Sequence, residues 1–298
     1  MNWKVKARAH SILDRIPLGA EMYFWLQKNV TKTLPGTSAK YQERLEDSHL
    51  HLKNLSRFRR GAGPDLLSYE VGAGWDLLNQ FVFYSGGVDR QVVVDIKPLV
   101  RRELLNRAIA EVNRYVSSRL VKCRLCNVQI GPDVTGDLKK FYGIEYRAPL
   151  DPRATGHPPA SFDFITSTNT FEHIPKGDVG RILRECKRLL KPGGLASVSI
   201  NYQDHFSYTD RSISIYNFLQ FSRSEWKKYS PKGHYQNRLR HSDYVELAEQ
   251  AGFRILLAEP QLPQEKHLKA LSALRLDPEF SGRSPEDLGI QYATLVME

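Results

Sequence analysis

Cysteine is scarce in this chain. Its 298 residues include three cysteines, Cys123, Cys126 and Cys186, which are too few for a disulfide framework and are typical of a protein from a reducing compartment. Cys123 and Cys126 form a C-x-x-C pattern, but a zinc site needs two further ligands. No second cysteine pair supplies them, so the sequence predicts no metal site.

Long apolar runs are missing as well. No run of eighteen apolar residues occurs, and the N-terminus lacks a compact apolar stretch followed by a cleavage site. We therefore expect neither a membrane-spanning helix nor export, and predict a cytoplasmic protein. The hydrophobic content of 41% is nevertheless enough for a sizeable core.

A glycine turn between two apolar segments is the most informative feature that is present. Residues 66–71 (LLSYEV) read as a buried parallel strand, Gly72 and Gly74 as the turn after it, and residues 76–84 as a helix. Glycine lets a ligand approach the backbone closely and permits positive φ. The next strand, residues 91–96, carries Asp95 near its end, where a carboxylate can accept hydrogen bonds from both ribose hydroxyls. The segment predicts an adenosine-binding pocket.

The residues around the glycine turn favour one adenosine cofactor over another. Dinucleotide enzymes place a third glycine where this chain has Leu77, and their pyrophosphate is an anion. Here Glu70 precedes the turn and Asp76 follows it, so two carboxylates would repel a pyrophosphate but suit a ligand that carries an ammonium and a sulfonium. This argues against a dinucleotide oxidoreductase.

At this point the sequence resembles the class I S-adenosylmethionine-dependent methyltransferases (type 11-like), whose first motif is an acid followed by G-x-G-x-G. Asp76 stands where that motif has its third glycine. The resemblance continues through FDFITS at 162–167, the helix at 178–190 that Asp178 caps and KPGG stops, and the strand at 195–200. It implies S-adenosylmethionine as the cofactor, with these cofactor-binding residues: Glu70, Gly72, Ala73, Gly74, Asp76, Asp95, Ile96, Asp151, Thr168 and Asn169.

The same resemblance implies an α/β fold with a doubly wound, seven-stranded, mostly parallel sheet. A helix with Ser242 as its N-cap (242–251) and strands at 253–259 and 290–297 complete it, with the last strand antiparallel. We assign residues 61–298 to this domain.

Residues 1–60 form a separate basic segment. They hold twelve Lys or Arg and five Asp or Glu, and residues 16–26 (IPLGAEMYFWL) contain an apolar helical stretch. We interpret the segment as a helical cap on the catalytic domain. Attachment to an anionic membrane surface, at the inner face, is the alternative. Nucleic acid is a less favoured partner, because the Pro-Pro-aromatic signature of amino-group DNA methyltransferases is replaced by Thr168-Asn169-Thr170-Phe171.

An aromatic segment at 202–240 is predicted to be the acceptor lid. It holds nine aromatic residues and seven Lys or Arg against three acids. Aromatic faces with basic side chains would suit a sugar or glycan acceptor, and parts of the segment resemble bacterial methyltransferases of saccharide and polysaccharide biosynthesis.

Transfer of a methyl group to a hydroxyl calls for a base. His205 is the first candidate, with Asp204 beside it to fix its tautomer, and His173 is the second. The predicted function is O-methylation of a sugar, glycan or other small hydroxylated acceptor. N- or C-methylation of a small or lipid-linked acceptor, and a non-catalytic regulator that only binds the cofactor, stay open; the oligomeric state is unknown.

Overall fold

A computed structural model describes residues 2–58, 65–118 and 124–298. In these ranges one mixed sheet has the strand order β3-β2-β1-β4-β5-β7-β6, with β7 antiparallel to both of its neighbours. The strands are β1 Leu67–Val71, β2 Arg90–Val94, β3 Ile144–Arg147, β4 Phe162–Thr168, β5 Leu190–Asn201, β6 Ile255–Pro260 and β7 Tyr292–Met297. The predicted fold class is confirmed.

Helices cover both faces of the sheet, as the βαβ alternation in the sequence requires. They are α1 Trp3–Leu13, α2 Gly19–Asn29, α3 Ser38–Phe58, α4 Leu78–Ser85, α5 Arg102–Ser117, α6 Val134–Tyr142, α7 Lys176–Leu189, α8 Arg223–Trp226, α9 His241–Gln250, α10 Glu265–Ser272 and α11 Pro285–Gly289. One apolar core joins α7 and α9 to the sheet, and another joins α3, α4 and α5 to it. In the described ranges, no helix has the length and apolar character needed to span a bilayer.

Strand order reverses between β1 and β4, which are parallel neighbours. The chain leaves β1 toward one side of the sheet and β4 toward the other, so a crevice opens between the loops at their carboxyl ends. Ligands of open α/β sheets bind at such a crevice. The fold therefore brings the glycine turn after β1 and the loop after β4 to the same edge.

Two helix starts differ from the sequence-based prediction. Leu77 has a φ of 50°, in the left-handed region, so α4 begins at Leu78 and Asp76 precedes it. Helix α9 has Arg240 rather than Ser242 as its N-cap, because the Ser242 hydroxyl bonds to Asp287 at 2.8 Å instead.

Other boundaries shift for local reasons. Asp178 lies inside the first turn of α7 and does not cap it; Pro175 does. The predicted turn at KPGG belongs to the start of β5, which pairs with β4 across a shift in register. Phe253 donates its amide to Ala248 at 3.0 Å, closing the end of α9, and so β6 begins only at Ile255.

Candidate active site

The glycine turn presents open backbone at the carboxyl edge of β1. Gly72 has a φ of 92°, and a Cβ there would lie 2.3 Å from Thr170 Oγ1, so the turn and the loop after β4 touch. Gly74 has a φ of 61°, and nothing lies within 4 Å of where its Cβ would be. Both positions therefore require glycine's backbone freedom, and the second leaves room for a ligand to reach the main chain.

Asp95 joins the end of β2 to this turn. Its carboxylate accepts the amide of Ala73 at 3.0 Å and that of Lys97 at 2.9 Å, and burial raises its pKa. Each carboxylate oxygen keeps a further lone pair for a ribose hydroxyl. The next residue, Ile96, is 60% exposed and offers an apolar surface that an adenine ring can cover.

Glu70 and Thr168 lie beneath the turn, in a buried polar network. Asn79 donates one amide proton to Glu70 at 2.7 Å and the other to the hydroxyl of Thr168 at 2.8 Å. The hydroxyl of Thr166 also donates to Glu70. Burial raises the pKa of Glu70 to about 7. The network positions Glu70 as a support that links β1, β4 and α4.

Asp76 likewise has a protein partner. Arg44 of α3 binds both of its carboxylate oxygens at 2.7 Å, and Asp76 is 4% exposed. The two acids that the sequence suggested as cofactor ligands are thus each engaged inside the protein, and the arginine from α3 was not anticipated.

Asp151 follows β3 and Asn169 follows β4 at the carboxyl edge of the sheet. Arg153 pairs with Asp151 at 2.6 Å and with Asp178 at 2.8 Å, which lowers the pKa of Asp151. The neighbouring Leu150 donates its amide to the backbone of Asp95 at 2.9 Å, so this segment lies beside Asp95. Asn169 has a positive φ of 49°.

The two candidate bases come together although 32 positions separate them. The rings of His173 and His205 are 5.0 Å apart between centroids, and Tyr208 stacks on His205 at 5.3 Å. His173 Nδ1 lies 2.9 Å from the carbonyl oxygen of Tyr235. Because a carbonyl only accepts, Nδ1 carries the proton and Nε2 is left with its lone pair.

Glu172 completes this cluster, although it was not among the site residues predicted from the sequence. It is 2% exposed, and burial raises its pKa to about 8. One ligand atom each of Glu172, His173 and His205 lies within 4.8 Å of the others. The adjacency of an acid and a histidine after β4 was the available signal, but only the fold shows that His205 joins them.

Asp204 does not fix the tautomer of His205, contrary to expectation. Its carboxylate caps the 3₁₀ helix His205–Tyr208 through the amide of Phe206 at 2.9 Å and accepts from Asn217 at 3.0 Å. Burial lowers the pKa of His205 to about 3, so the ring is neutral at physiological pH.

The N-terminal helices pack against both parts of the site. Trp3 of α1 packs on Phe206 and Tyr229, with centroids 5.5 and 4.7 Å apart. In α2, Phe24 stacks at 5.3 Å on Trp75, which directly follows Gly74. Helix α1 therefore contacts the 202–240 segment, and α2 contacts the cofactor turn.

Most aromatic side chains of residues 202–240 form a core rather than an open binding surface. Five are at most 5% exposed: Tyr202, Phe206, Tyr216, Phe218 and Trp226. Tyr208 is 53% exposed. Of the cysteines, Cys126 and Cys186 are buried free thiols, whereas Cys123 lies outside the described residues.

The sequence profile described as "Methyltransferase domain" matches residues 41–258. This chain belongs to the methyltransferase domain family. The family is that of the S-adenosylmethionine-dependent methyltransferases, which implies S-adenosylmethionine as the cofactor. The open glycine turn, Asp95 and the exposed Ile96 fit the adenosine part of that cofactor.

Individual relatives share less than a third of their aligned residues with this chain. The methyltransferase is 27% identical over 139 residues to a ubiquinone biosynthesis O-methyltransferase of Pseudomonas fluorescens, covering 45% of this chain and 56% of the relative. It is 28% identical over 129 residues to the protein of the same name from Paraburkholderia phymatum, covering 43% and 50%. The chain thus spans about half the length of these curated relatives.

Among solved structures, the chain is similar to geranyl diphosphate C-methyltransferase from Streptomyces coelicolor. The identity is 11% and the TM-score 0.48, over 85% of this chain and 77% of that one.

Proposed function

We propose that this methyltransferase transfers its methyl group to a hydroxyl oxygen of a small acceptor. The observation that carries the proposal is the cluster of Glu172, His173 and His205 at the carboxyl edge, one loop away from the cofactor turn. A hydroxyl is a poor nucleophile until its proton is removed. Neutral imidazoles suit that step, because only the neutral ring has a lone pair to offer.

The cofactor supplies an activated methyl group, and the residues of the chain position the acceptor and remove its proton. Asp95 orients the adenosine, and the turn at Gly72 and Gly74 admits it to the backbone. As the acceptor oxygen attacks the methyl carbon, the carbon–sulfur bond breaks and its electron pair stays on sulfur. The acceptor proton leaves at the histidine cluster.

Two curated relatives are named as O-methyltransferases, which supports oxygen over nitrogen or carbon as the methylated atom. A sugar acceptor is less favoured than the sequence suggested, because most aromatic rings in 202–240 are buried and cannot stack on it. A phenol or other hydroxylated ring that fits against Tyr208 is the better candidate.

The test is a product analysis. Purified protein with S-adenosylmethionine is offered matched phenols, glycosides and anilines, and S-adenosylhomocysteine formation is measured before the methylated atom is located by NMR. We expect turnover with a phenol and no turnover with the aniline of the same shape. Methylation of the aniline alone would refute an oxygen acceptor. Cofactor binding without turnover on any acceptor would support the non-catalytic alternative.

We also infer that α1 and α2 contact an anionic membrane surface at the inner face of the membrane. Exposed apolar side chains run from the end of α1 through the turn into α2, namely Ile12, Ile16, Leu18, Met22 and Trp25, which are 39–74% exposed. Exposed Arg8, Arg15 and Lys32 lie in the same segment. Apolar side chains that insert among headgroups, flanked by cations, are typical of interfacial helices.

Vesicle sedimentation tests the membrane contact. Binding to mixed phosphatidylglycerol and phosphatidylcholine vesicles should exceed binding to phosphatidylcholine alone. It should fall in Leu18→Asp and stay unchanged in Leu262→Asp, since Leu262 is 68% exposed outside these helices. Equal loss in both variants would contradict the assigned surface.

A further inference from the structure

We propose that Glu172, His173 and His205 bind one divalent transition-metal ion, which holds and activates the acceptor hydroxyl. This inference rests on the proposed function, because it assigns the means by which the acceptor proton is lost. The potential ligand atoms lie within 4.8 Å of one another. Around a bound zinc ion they would be roughly 3–3.5 Å apart, a difference that small side-chain rotations can close.

The first support is a buried carboxylate without a donor. Neither oxygen of Glu172 has a hydrogen-bond partner in the part of the chain that the structure describes, although the residue is 2% exposed. Buried carboxylates are almost always hydrogen-bonded, paired or bound to a metal. The backbone amides of Glu172 itself and of Asn201 lie near this carboxylate but do not offset its burial. The two imidazoles place ligand atoms within 4.8 Å of it, and that arrangement fits metal binding.

The second support comes from the imidazoles. His205 Nε2 is buried and has no partner among the described residues. His173 holds its Nδ1 proton against the carbonyl of Tyr235 at 2.9 Å, and its Nε2 is free to bind. A histidine whose other nitrogen donates to a backbone carbonyl is the usual arrangement for a metal ligand, because that hydrogen bond fixes both tautomer and ring orientation.

The ligand set indicates the class of ion. Two imidazoles and one carboxylate suit zinc, or manganese, iron and cobalt, whereas calcium and magnesium prefer oxygen ligands alone. Three protein ligands also leave a coordination position open for a substrate oxygen. We therefore assign the site to an ion of the zinc class.

The ion would supply the activation that a neutral hydroxyl lacks. Coordination lowers the pKa of a bound hydroxyl. With the imidazole lone pairs bound to the ion, the proton leaves the cluster to solvent rather than to a histidine, and the oxygen keeps the electron pair. That oxygen forms a bond to the methyl carbon of the sulfonium, and the carbon–sulfur bond breaks with its pair retained by sulfur. A negative oxygen and a positive sulfur become a neutral ether and a neutral thioether, so charge balances.

The experiment measures metal binding directly. Untagged full-length protein is freed of metal by a chelator and titrated with Zn²⁺ by calorimetry and with Co²⁺ by visible absorption. We expect one ion per chain at micromolar affinity, and at least a tenfold loss in Glu172→Gln and in His205→Ala. His234→Ala is the matched control, because this neighbouring histidine stacks on His10 at 4.2 Å and lies outside the cluster.

Folding is monitored by circular dichroism and by S-adenosylhomocysteine binding, which each variant should retain. Absence of an ion in the parent protein, or equal affinity in parent and Glu172→Gln, would overturn the metal site. Methyl transfer to a phenol that persists in chelator would do the same while leaving the proposed function intact. Metal binding without any hydroxyl methylation would leave the site standing and refute the proposed function.

Discussion

The predicted cofactor edge and the proposed acceptor edge of this methyltransferase are built in different ways. The cofactor edge uses one contiguous segment, from Gly72 to Asp95, in which backbone amides and one carboxylate are the groups offered to the cofactor. The acceptor edge combines the loop after β4, residues 202–240 and helix α1. A pocket made from local backbone leaves a clear sequence motif, whereas one made from distant side chains does not.

The largest effect is expected from a substitution that disrupts the cofactor edge. Gly72→Val should abolish cofactor binding and destabilise the fold by roughly 2–5 kcal/mol, because positive φ is strained and Thr170 occupies the Cβ position. Thermal melting and calorimetric titration with S-adenosylhomocysteine measure both losses. Gly74→Ala is the control with open space around its Cβ, and it should lose only about 1 kcal/mol of stability. Equal destabilisation in both would contradict the steric argument.

The next effect isolates the ribose contact. Asp95→Asn should weaken S-adenosylhomocysteine binding roughly 10- to 100-fold, since hydrogen bonds to a charged group contribute about 1.5–3 kcal/mol. The amide oxygen can still accept from Ala73, so the turn should persist. Asp89→Asn, before the opposite end of β2, is the control and should bind normally. An unchanged affinity in Asp95→Asn would mean that the ribose is held elsewhere.

A smaller effect is expected from removing the ion pair that connects α3 to the cofactor edge. Arg44→Gln leaves the Asp76 carboxylate without its bidentate partner, and we expect a loss of about 2–3 kcal/mol in urea unfolding. The double variant Arg44→Gln with Asp76→Asn should recover part of this loss. Arg57→Gln, in an exposed pair 3.9 Å from Glu259, should change little. No recovery in the double variant would show that the charge pair is not the cause.

The smallest effect concerns the docking of α1. His10 stacks on His234, and burial lowers the pKa of His10 to about 4, from an ordinary value of 6.5. Between these values the unfolded chain binds more protons than the folded chain. Stability from this group is therefore complete above pH 6.5 and lost as the pH falls toward 4.

His10→Phe keeps the ring but removes the titration. Between pH 7 and pH 5, the free energy of unfolding measured in urea should fall by about 1–2 kcal/mol less in the variant than in the parent protein. Lys6 and Asp14 also face His10 and are unchanged in the variant. The same pH dependence in both proteins would rule out His10 as its source.

Sequence patterns predicted the sheet well because buried parallel strands and glycine turns depend on local residues. The positions of Gly72, Gly74 and Asp95 in the fold agree with that prediction, while their contact with a cofactor stays a prediction. Glu172 was missed because nothing local marks a carboxylate whose oxygens find no donor. Arg44 was missed because its partner is 32 positions away.

In residues 202–240, by contrast, the sequence suggested a binding surface where the structure shows mostly a packed core. Composition does not distinguish a ring that stacks on a ligand from one that stacks on Trp3. Only the packing of α1 against residues 202–240 separates the two cases, and that packing joins the two most distant parts of the site.

Helix α1 is synthesised long before the residues that it packs against. Trp3 donates its amide to Asp210 at 2.9 Å, across 207 positions of chain. After α1 leaves the ribosome, about 200 further residues must therefore be made before its binding partner exists. Because protein synthesis proceeds at about 5–20 residues per second, its apolar face stays unsheltered for roughly ten seconds or more, a period in which a chaperone has time to bind it.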